Sequence, residues 1–273
     1  MRAITVLLMC LLGDFACAGA VLQAQTPRAK TGSGDAPVFA LQPIRQLRKG
    51  VDAWPLILNA NDAASKRVNQ TLEEMNQELT SALKECDTNY LAWAKDTGDA
   101  SAGKGVADDW ERKVAVTMAG PRFVSVIATD DFFCGGAYPD SNRVVMVFDM
   151  FTGDLVDWTA MIAKSAGASP LADSGYDGTS VVALVLPALE KINLASVSPE
   201  CKDAFDERQP FLIWPDAPKE QLVAVAYGLP HVVAACAEEV HLTMEQARAL
   251  GFDEILIDSI KLAHGVSAAT PKH

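Results

Sequence analysis

The sequence contains little of what common enzyme active sites require. Only four histidines occur in 273 residues, and they stand apart at His231, His241, His264 and His273. No CxxC pair, HxxxH pair, GxSxG motif or GxxxxGK[ST] motif is present. Such motifs supply metal ligands, activated nucleophiles and phosphate-binding loops. We therefore predict no metal site, no cofactor and no catalytic residue.

Positive charge is also scarce. The chain has 23 Lys and Arg against 35 Asp and Glu, which gives a formal net charge of −12. This charge repels nucleic acid and attracts basic proteins, so nucleic acid is excluded as a partner. A composition with 49% hydrophobic and 21% charged residues is typical of a globular chain with one substantial core or two small ones.

The longest hydrophobic run lies at the N-terminus. Arg2 precedes an apolar run over Ala3–Gly13, and small residues follow it. We predict that residues 1–24 are a signal peptide and that no membrane span remains after its removal. The protein is then periplasmic or secreted. An alternative is a lipoprotein anchored at Cys17, although Asp14 stands where a lipobox has an aliphatic residue.

Four cysteines remain once the leader is removed. They are Cys86, Cys134, Cys201 and Cys236. An even number in an exported chain indicates disulfides, and four cysteines allow three pairings. Two cysteines fall in the first half and two in the second, which favours Cys86 with Cys134 and Cys201 with Cys236.

The hydrophobic pattern predicts an α+β fold. We expect an antiparallel β-sheet packed with a long N-terminal helix and a second helix in the C-terminal half. Residues 25–50 are predicted to be a flexible tether, and Trp54–Asn59 a short strand. The long helix is expected from Asn61 to near Cys86. The second is expected over Asp177–Asn193, either kinked at Pro187 or beginning there. Further strands are predicted at 110–119, 122–133, 143–150, 210–216, 222–227 and 238–244, with short helices at 158–163 and 244–250.

A glycine-rich stretch, "FFCGGAYPDSN", separates two of these strands. It contains Gly135-Gly136-Ala137 and Pro139, and the strand after it ends at Phe148-Asp149 before a Thr152-Gly153 turn. A later segment reads "VHLTMEQARALG". Together these motifs resemble the RsiV/PdaC-type extracytoplasmic domain family over about Ala53–Phe252. Tyr138 stands where that family usually has histidine, so no imidazole role is carried over.

The resemblance implies an exported α+β domain of the cell envelope that binds a partner and is not itself the catalyst. It divides the chain into a PdaC-like N-terminal half at 51–142 with a strand, a helix and a hairpin, an RsiV-like C-terminal half at 143–258, and a tail at 259–273. The expected partner is a basic, lysozyme-like protein or a cell-wall glycan.

The candidate ligand-binding residues lie in the glycine-rich loop. They are Gly135, Gly136, Tyr138 and Asp140, and Tyr138 is expected to be exposed because loops of this kind lie on the surface. The alternative function is a hydrolase of peptidoglycan or another envelope glycan that uses Asp and Glu pairs. Its candidate carboxylates are Asp130, Asp131 and Asp140. Glu238 and Glu239 are disfavoured because adjacent strand residues point to opposite faces.

Overall fold

A computed structural model describes residues 38–98, 110–174, 180–205 and 208–269. The predicted signal peptide, Cys17 and the first part of the tether lie outside these residues. The helices are α1 Ala63–Thr97, α2 Pro187–Ser196, α3 Met244–Ala249 and α4 Glu254–Ala269. The strands are β1 Gln46–Arg48, β2 Val51–Asp52, β3 Trp110–Ala119, β4 Phe123–Phe132, β5 Asp140–Asp149, β6 Asp154–Leu155, β7 Ser169–Ser174, β8 Ser180–Val185, β9 Pro210–Asp216, β10 Gln221–Ala226 and β11 Glu239–Thr243.

The α+β prediction is confirmed, but the strands form two sheets where one was expected. Six strands make the first sheet in the order β1-β2-β3-β4-β5-β6, and five make the second in the order β11-β10-β9-β8-β7. Strand pairs are antiparallel except for β2 and β3, which meet in parallel at Val51 and Arg112. Short connections such as the β3–β4 turn favour antiparallel neighbours.

Helix α1 extends to Thr97, whereas the spacing of apolar residues predicted that it would end near Cys86. Its buried stripe continues at intervals of four through Tyr90 and Ala94, so the helix keeps one face on the protein for 35 residues. Asp62 caps its N-terminus, where the carboxylate accepts a hydrogen bond from the Ser65 amide at 2.8 Å. Hydrogen bonds from Ser65 lower the pKa of Asp62 below its ordinary value.

The strand predicted over Trp54–Asn59 is wrong, apart from one bridge between Leu41 and Ile57. The side-chain amide of Asn76 bonds both backbone groups of Trp54, at 2.8 and 3.1 Å. Asn69 bonds both backbone groups of Ile57 at 2.7 and 2.9 Å. These amides supply the donor and acceptor that a neighbouring strand would supply, so the segment lies extended against α1.

The first sheet is buried between α1 and the second sheet. On the α1 side, the core contains Val68, Leu72, Met75, Val124, Val126, Ala128, Val144, Met146 and Phe148. On the other side, Met118, Phe123 and Val147 pack with the second sheet and with α4, in a core that includes Phe211, Trp214, Leu222, Leu256 and Ile260. Strands β9 and β10 are buried along nearly their whole length, as expected for a sheet covered on both faces.

Two helix predictions in the C-terminal half have different outcomes. Helix α2 begins at Pro187 with proline in its first turn, which confirms the second of the two alternatives, while Ser180–Val185 is strand β8. The short helix predicted at 158–163 is wrong. That segment forms turns and a bridge from Ile162 to Phe252, because Ile162 is buried in the core.

The predicted tether and tail both turn out to be partly folded. The predicted tether of 25–50 contains strand β1. This part of the chain is folded because β1 pairs with β2 and so belongs to the first sheet. The predicted tail of 259–273 is helical in α4 as far as Ala269, because Ile260 and Ala263 are buried in the core. Residues 25–37 and 270–273 lie outside the described part of the chain.

The predicted division at 142/143 falls inside strand β5. The described residues between 38 and 269 belong to one compact unit that contains both halves. The hydrogen bonds of β5 to β4 cross the predicted boundary and make the halves inseparable. Within the described ranges, no helix is both long enough and apolar enough to cross a membrane.

Candidate functional site

The second sheet covers only part of the first, and this leaves one end of β3 and β4 open. Strand β4 is buried on both faces over its first four residues. Its later residues alternate between partly buried and buried positions until Asp131, which is exposed. On β3, Glu111 and Lys113 are exposed in the same region. Glu111 lies directly opposite Asp131 in the strand register, so both carboxylates share one face of the sheet.

The glycine-rich loop closes this end of the sheet. It connects the end of β4 at Phe132 to the start of β5 at Asp140, and these two residues are paired. The disulfide from Cys134 to Cys86 ties the loop to α1, with the two Cα atoms 4.6 Å apart. A second disulfide joins Cys201 and Cys236, so both predicted pairings are confirmed. Two disulfides fit a protein of an oxidising compartment outside the cytoplasm.

The two glycines of the loop serve different purposes. Gly135 has φ +88°, and a Cβ atom there would lie 2.7 Å from Cβ of Trp93 on α1. Gly136 has φ +121°, but a Cβ atom there would meet no atom within 4 Å. Gly135 therefore allows close packing of the loop on the helix, whereas Gly136 is needed only for its backbone angle.

The Thr152-Gly153 turn makes a similar contact at the other end of α1. Gly153 has φ +81°, and a Cβ atom there would lie 2.5 Å from the carbonyl oxygen of Ala64. Both glycine motifs thus have the same physical explanation. They allow the ends of the sheet to approach the two ends of one long helix.

We expect Gly135→Ala to lower the free energy of unfolding by about 2 to 3 kcal/mol, because it combines an unfavourable backbone angle with overpacking. The matched control is Gly98→Ala at the end of α1, where φ is also positive at +71° but no atom lies within 4 Å. That change should cost only about 1 kcal/mol. Urea unfolding measures both values, and equal losses would contradict the close-packing explanation.

An open groove of about 610 Å³ lies beside this loop. We call it the loop groove. Its lining residues are Trp93, Glu111, Asp131, Phe132, Phe133, Gly136, Ala137 and Pro139. Phe133 packs edge-to-face on Trp93, with ring centroids 5.0 Å apart, and on Tyr90 at 5.9 Å. These ring contacts and the disulfide hold the aromatic part of the groove in place.

The charged side of the loop groove is acidic. Nζ of Lys113 lies 3.0 Å from Oε1 of Glu111, and this contact raises the pKa of Lys113. Among the described residues, the side chain of Asp131 makes no ion pair. Two carboxylates and one ammonium group leave a local charge of about −1 at pH 7. This corner of the groove can thus accept a cation.

Asp130 points the other way and is buried under the sheet. Its Oδ2 atom lies 2.6 Å from Nη1 of Arg112, and its Oδ1 atom accepts a hydrogen bond from the indole of Trp110 at 2.8 Å. The guanidinium of Arg112 lies over the ring of Trp54, 4.6 Å from its centroid. Asp130 and Asp131 are both candidate carboxylates of the hydrolase alternative, but the alternation of β4 puts the two on opposite faces of the sheet.

The predicted site residues are only partly in the groove. Gly136 lines it, whereas Gly135 packs on α1. Tyr138 is 73% exposed, which confirms its predicted exposure. Asp140 is exposed at the start of β5, where its carboxylate accepts a hydrogen bond from the Ser141 amide. Neither Tyr138 nor Asp140 is among the described residues that line the groove.

Sequence reasoning missed the aromatic and acidic walls of the groove. Trp93 lies in the part of α1 that the prediction omitted, and the four-residue spacing from Cys86 through Tyr90 to Ala94 could have revealed that part. Glu111 lies at the start of β3, and only the β3–β4 register brings it opposite Asp131.

The described residues contain no group of three or more His, Cys, Asp or Glu side chains that could hold a metal ion. No family model matches the chain, and a search of curated proteins finds no match.

Proposed function

We propose that the protein is an exported cell-envelope module that binds a protein or a cell-wall glycan in the loop groove. The observation that carries the proposal is the groove itself, where the half-buried rings of Trp93 and Phe133 lie beside two carboxylates. Concave sites with aromatic walls and a few polar groups are typical of ligand-binding sites. The disulfide and the Gly135 contact hold the loop in one conformation, which reduces the entropy lost on binding.

The RsiV/PdaC-type resemblance supports the same proposal from the sequence. Its Gly-Gly-Ala and Pro residues form the loop beside the groove, and its Thr-Gly turn docks the far end of α1. We propose a periplasmic or secreted location, with anchorage at Cys17 as the alternative. Under this proposal the ligand is a basic, lysozyme-like protein or an envelope glycan.

The alternative function is an envelope glycan hydrolase, and the structure narrows its candidate residues. Asp130 is 2% exposed and paired with Arg112, so it cannot reach a substrate. Glu239 is engaged by Arg143 at 2.9 Å. Asp140 is not among the described residues that line the groove, whereas Asp131 lines it together with Glu111, its partner in the strand register. A hydrolase would turn over purified muropeptides and lose this activity in Asp131→Asn.

The binding proposal is tested with Phe133→Ala, which removes one ring from the groove. We expect at least about tenfold weaker binding of lysozyme, or of a peptidoglycan fragment, because an aromatic contact at the centre of a site commonly contributes this much. Isothermal titration calorimetry measures the affinities. Phe151→Ala is the matched control, since Phe151 is 84% exposed and lies in the turn at the other end of α1.

The control variant should bind like the wild type. Circular dichroism checks that both variants are folded. The proposal is overturned if the folded wild-type protein binds neither class of ligand, or if both variants weaken binding equally.

A further inference from the structure

We propose that the loop groove takes an arginine side chain, presented by an extended segment of a basic partner protein. The guanidinium would lie between Glu111 and Asp131, with its flat face against one of the two aromatic rings, Phe133 or Trp93, whose planes are nearly perpendicular. This inference deepens the proposed function and rests on it, because it names the chemical group that the groove recognises.

The carboxylates of Glu111 and Asp131 lie on neighbouring strands at paired positions. Residues directly opposite each other on antiparallel strands have Cβ atoms about 4.5 to 5.5 Å apart, and like charges in such a pair destabilise the sheet. A cation between Glu111 and Asp131 removes this repulsion. A guanidinium has five N–H donors in a planar fork, so one group can donate to both carboxylates.

The described charged groups at the loop groove carry a negative net charge. Lys113 is the nearby cation, but its ammonium group contacts Glu111 and its side chain is 63% exposed. In the part of the chain that the structure describes, no cation pairs with Asp131. The described groups, two carboxylates and one ammonium, therefore leave one negative charge in excess, which a single monovalent side chain neutralises. The net charge of −12 on the whole chain also favours the approach of a basic protein.

The loop groove also has an aromatic wall, formed by Trp93 and Phe133. A guanidinium stacks favourably on the face of an aromatic ring. The described residues already contain this arrangement three times, with Arg112 over Trp54 at 4.6 Å, Arg122 over Phe123 at 5.4 Å and Arg143 over Trp214 at 5.6 Å. In the loop groove, Trp93 and Phe133 lie beside the carboxylates, and the described lining residues include no arginine. The groove thus combines carboxylates and aromatic rings, the two kinds of group that bind a guanidinium.

A glycan also stacks on aromatic rings, but it gives no reason for the paired carboxylates. Neutral sugars do not offset the repulsion between Glu111 and Asp131, and the carboxylates of peptidoglycan stems would add to it. Charge complementarity therefore favours the basic segment over the glycan.

The test compares a Gly-Ser peptide with one central arginine and the same peptide with citrulline, which has the same shape but no charge. Isothermal titration calorimetry on the mature protein measures both affinities. We expect the arginine peptide to bind at least about tenfold more tightly, with the difference shrinking at high salt. Glu111→Gln and Asp131→Asn should each remove most of this preference. Lys113→Ala should strengthen arginine binding several-fold, because it frees Glu111.

The matched control is Glu245→Gln, which neutralises an exposed carboxylate on α3 outside the groove. It should leave the preference within about twofold of the wild type, because distant exposed charges are screened. Equal binding of the arginine and citrulline peptides overturns the inference. So does glycan binding that Phe133→Ala weakens but Glu111→Gln and Asp131→Asn do not, although the proposed function then stands. If lysozyme, glycans and peptides all fail to bind, the proposed function falls as well.

Discussion

Asp130→Asn is expected to lower the free energy of unfolding by about 3 to 5 kcal/mol, because it removes the carboxylate that pairs with the buried guanidinium of Arg112. Arg112 is 0% exposed and Asp130 is 2% exposed, so water cannot take over the lost contact. The carboxylate of Asp130 also accepts a hydrogen bond from Trp110, whose ring stacks on Phe132 in the wall of the groove. Urea unfolding followed by circular dichroism measures the loss.

The matched control is Glu111→Gln on the neighbouring strand. It breaks the exposed ion pair between Glu111 and Lys113, which solvent screens, so the loss should be below about 1 kcal/mol. The double variant Arg112→Met with Asp130→Leu should be more stable than Asp130→Asn, because apolar residues of similar size remove both buried charges. A loss below about 1 kcal/mol in Asp130→Asn would show that the pair is not needed for stability.

The second large effect is expected from the disulfide beside the groove. Replacing Cys86 and Cys134 by alanine removes a link across 48 residues. The chain-entropy estimate for a loop of this length is about 4 kcal/mol of stability. We also expect weaker ligand binding, because the loop at Gly135–Pro139 loses its covalent connection to α1. Urea unfolding and calorimetry with lysozyme measure the two effects.

The second disulfide provides the control for this experiment. Replacing Cys201 and Cys236 by alanine removes a link across 35 residues, which also predicts a loss of about 4 kcal/mol. Neither cysteine lines the groove, so binding by the protein that remains folded should be unchanged. If the two double variants weaken binding to the same extent, the Cys86–Cys134 link has no special role at the groove.

Much of the fold could be predicted because local patterns agree with the final packing. Strand β3 alternates between buried and exposed residues over its first half, as half-buried strands do, and the helix start at Asp62 has its capping residue. The segment at Trp54–Asn59 could not be predicted in this way. Its apolar residues are typical of a strand. Its backbone, however, forms hydrogen bonds with the side chains of Asn69 and Asn76, which lie on helix α1.

The candidate site was predictable only in its loop. The glycines, proline and cysteine of "FFCGGAYPDSN" indicate a braced turn, and the structure places that turn beside the groove. Glu111 and Trp93 carry no such local signal, since a glutamate at a strand end and a tryptophan on a helix are ordinary surface and core residues. Their significance depends on which side chains they meet.

The sequence by itself therefore determined the α+β class, the negative net charge and the position of the glycine-rich loop, and it favoured the disulfide pairing that the structure confirmed. These properties depend on composition, on local periodicity or on the order of cysteines along the chain. Only the tertiary structure decided that Asp130 is buried while Asp131 faces the groove, and that Glu111 lies opposite Asp131. The physical reason is strand register: it determines which residues become neighbours across a sheet, and it is set by the packing of the whole sheet against α1 and the second sheet.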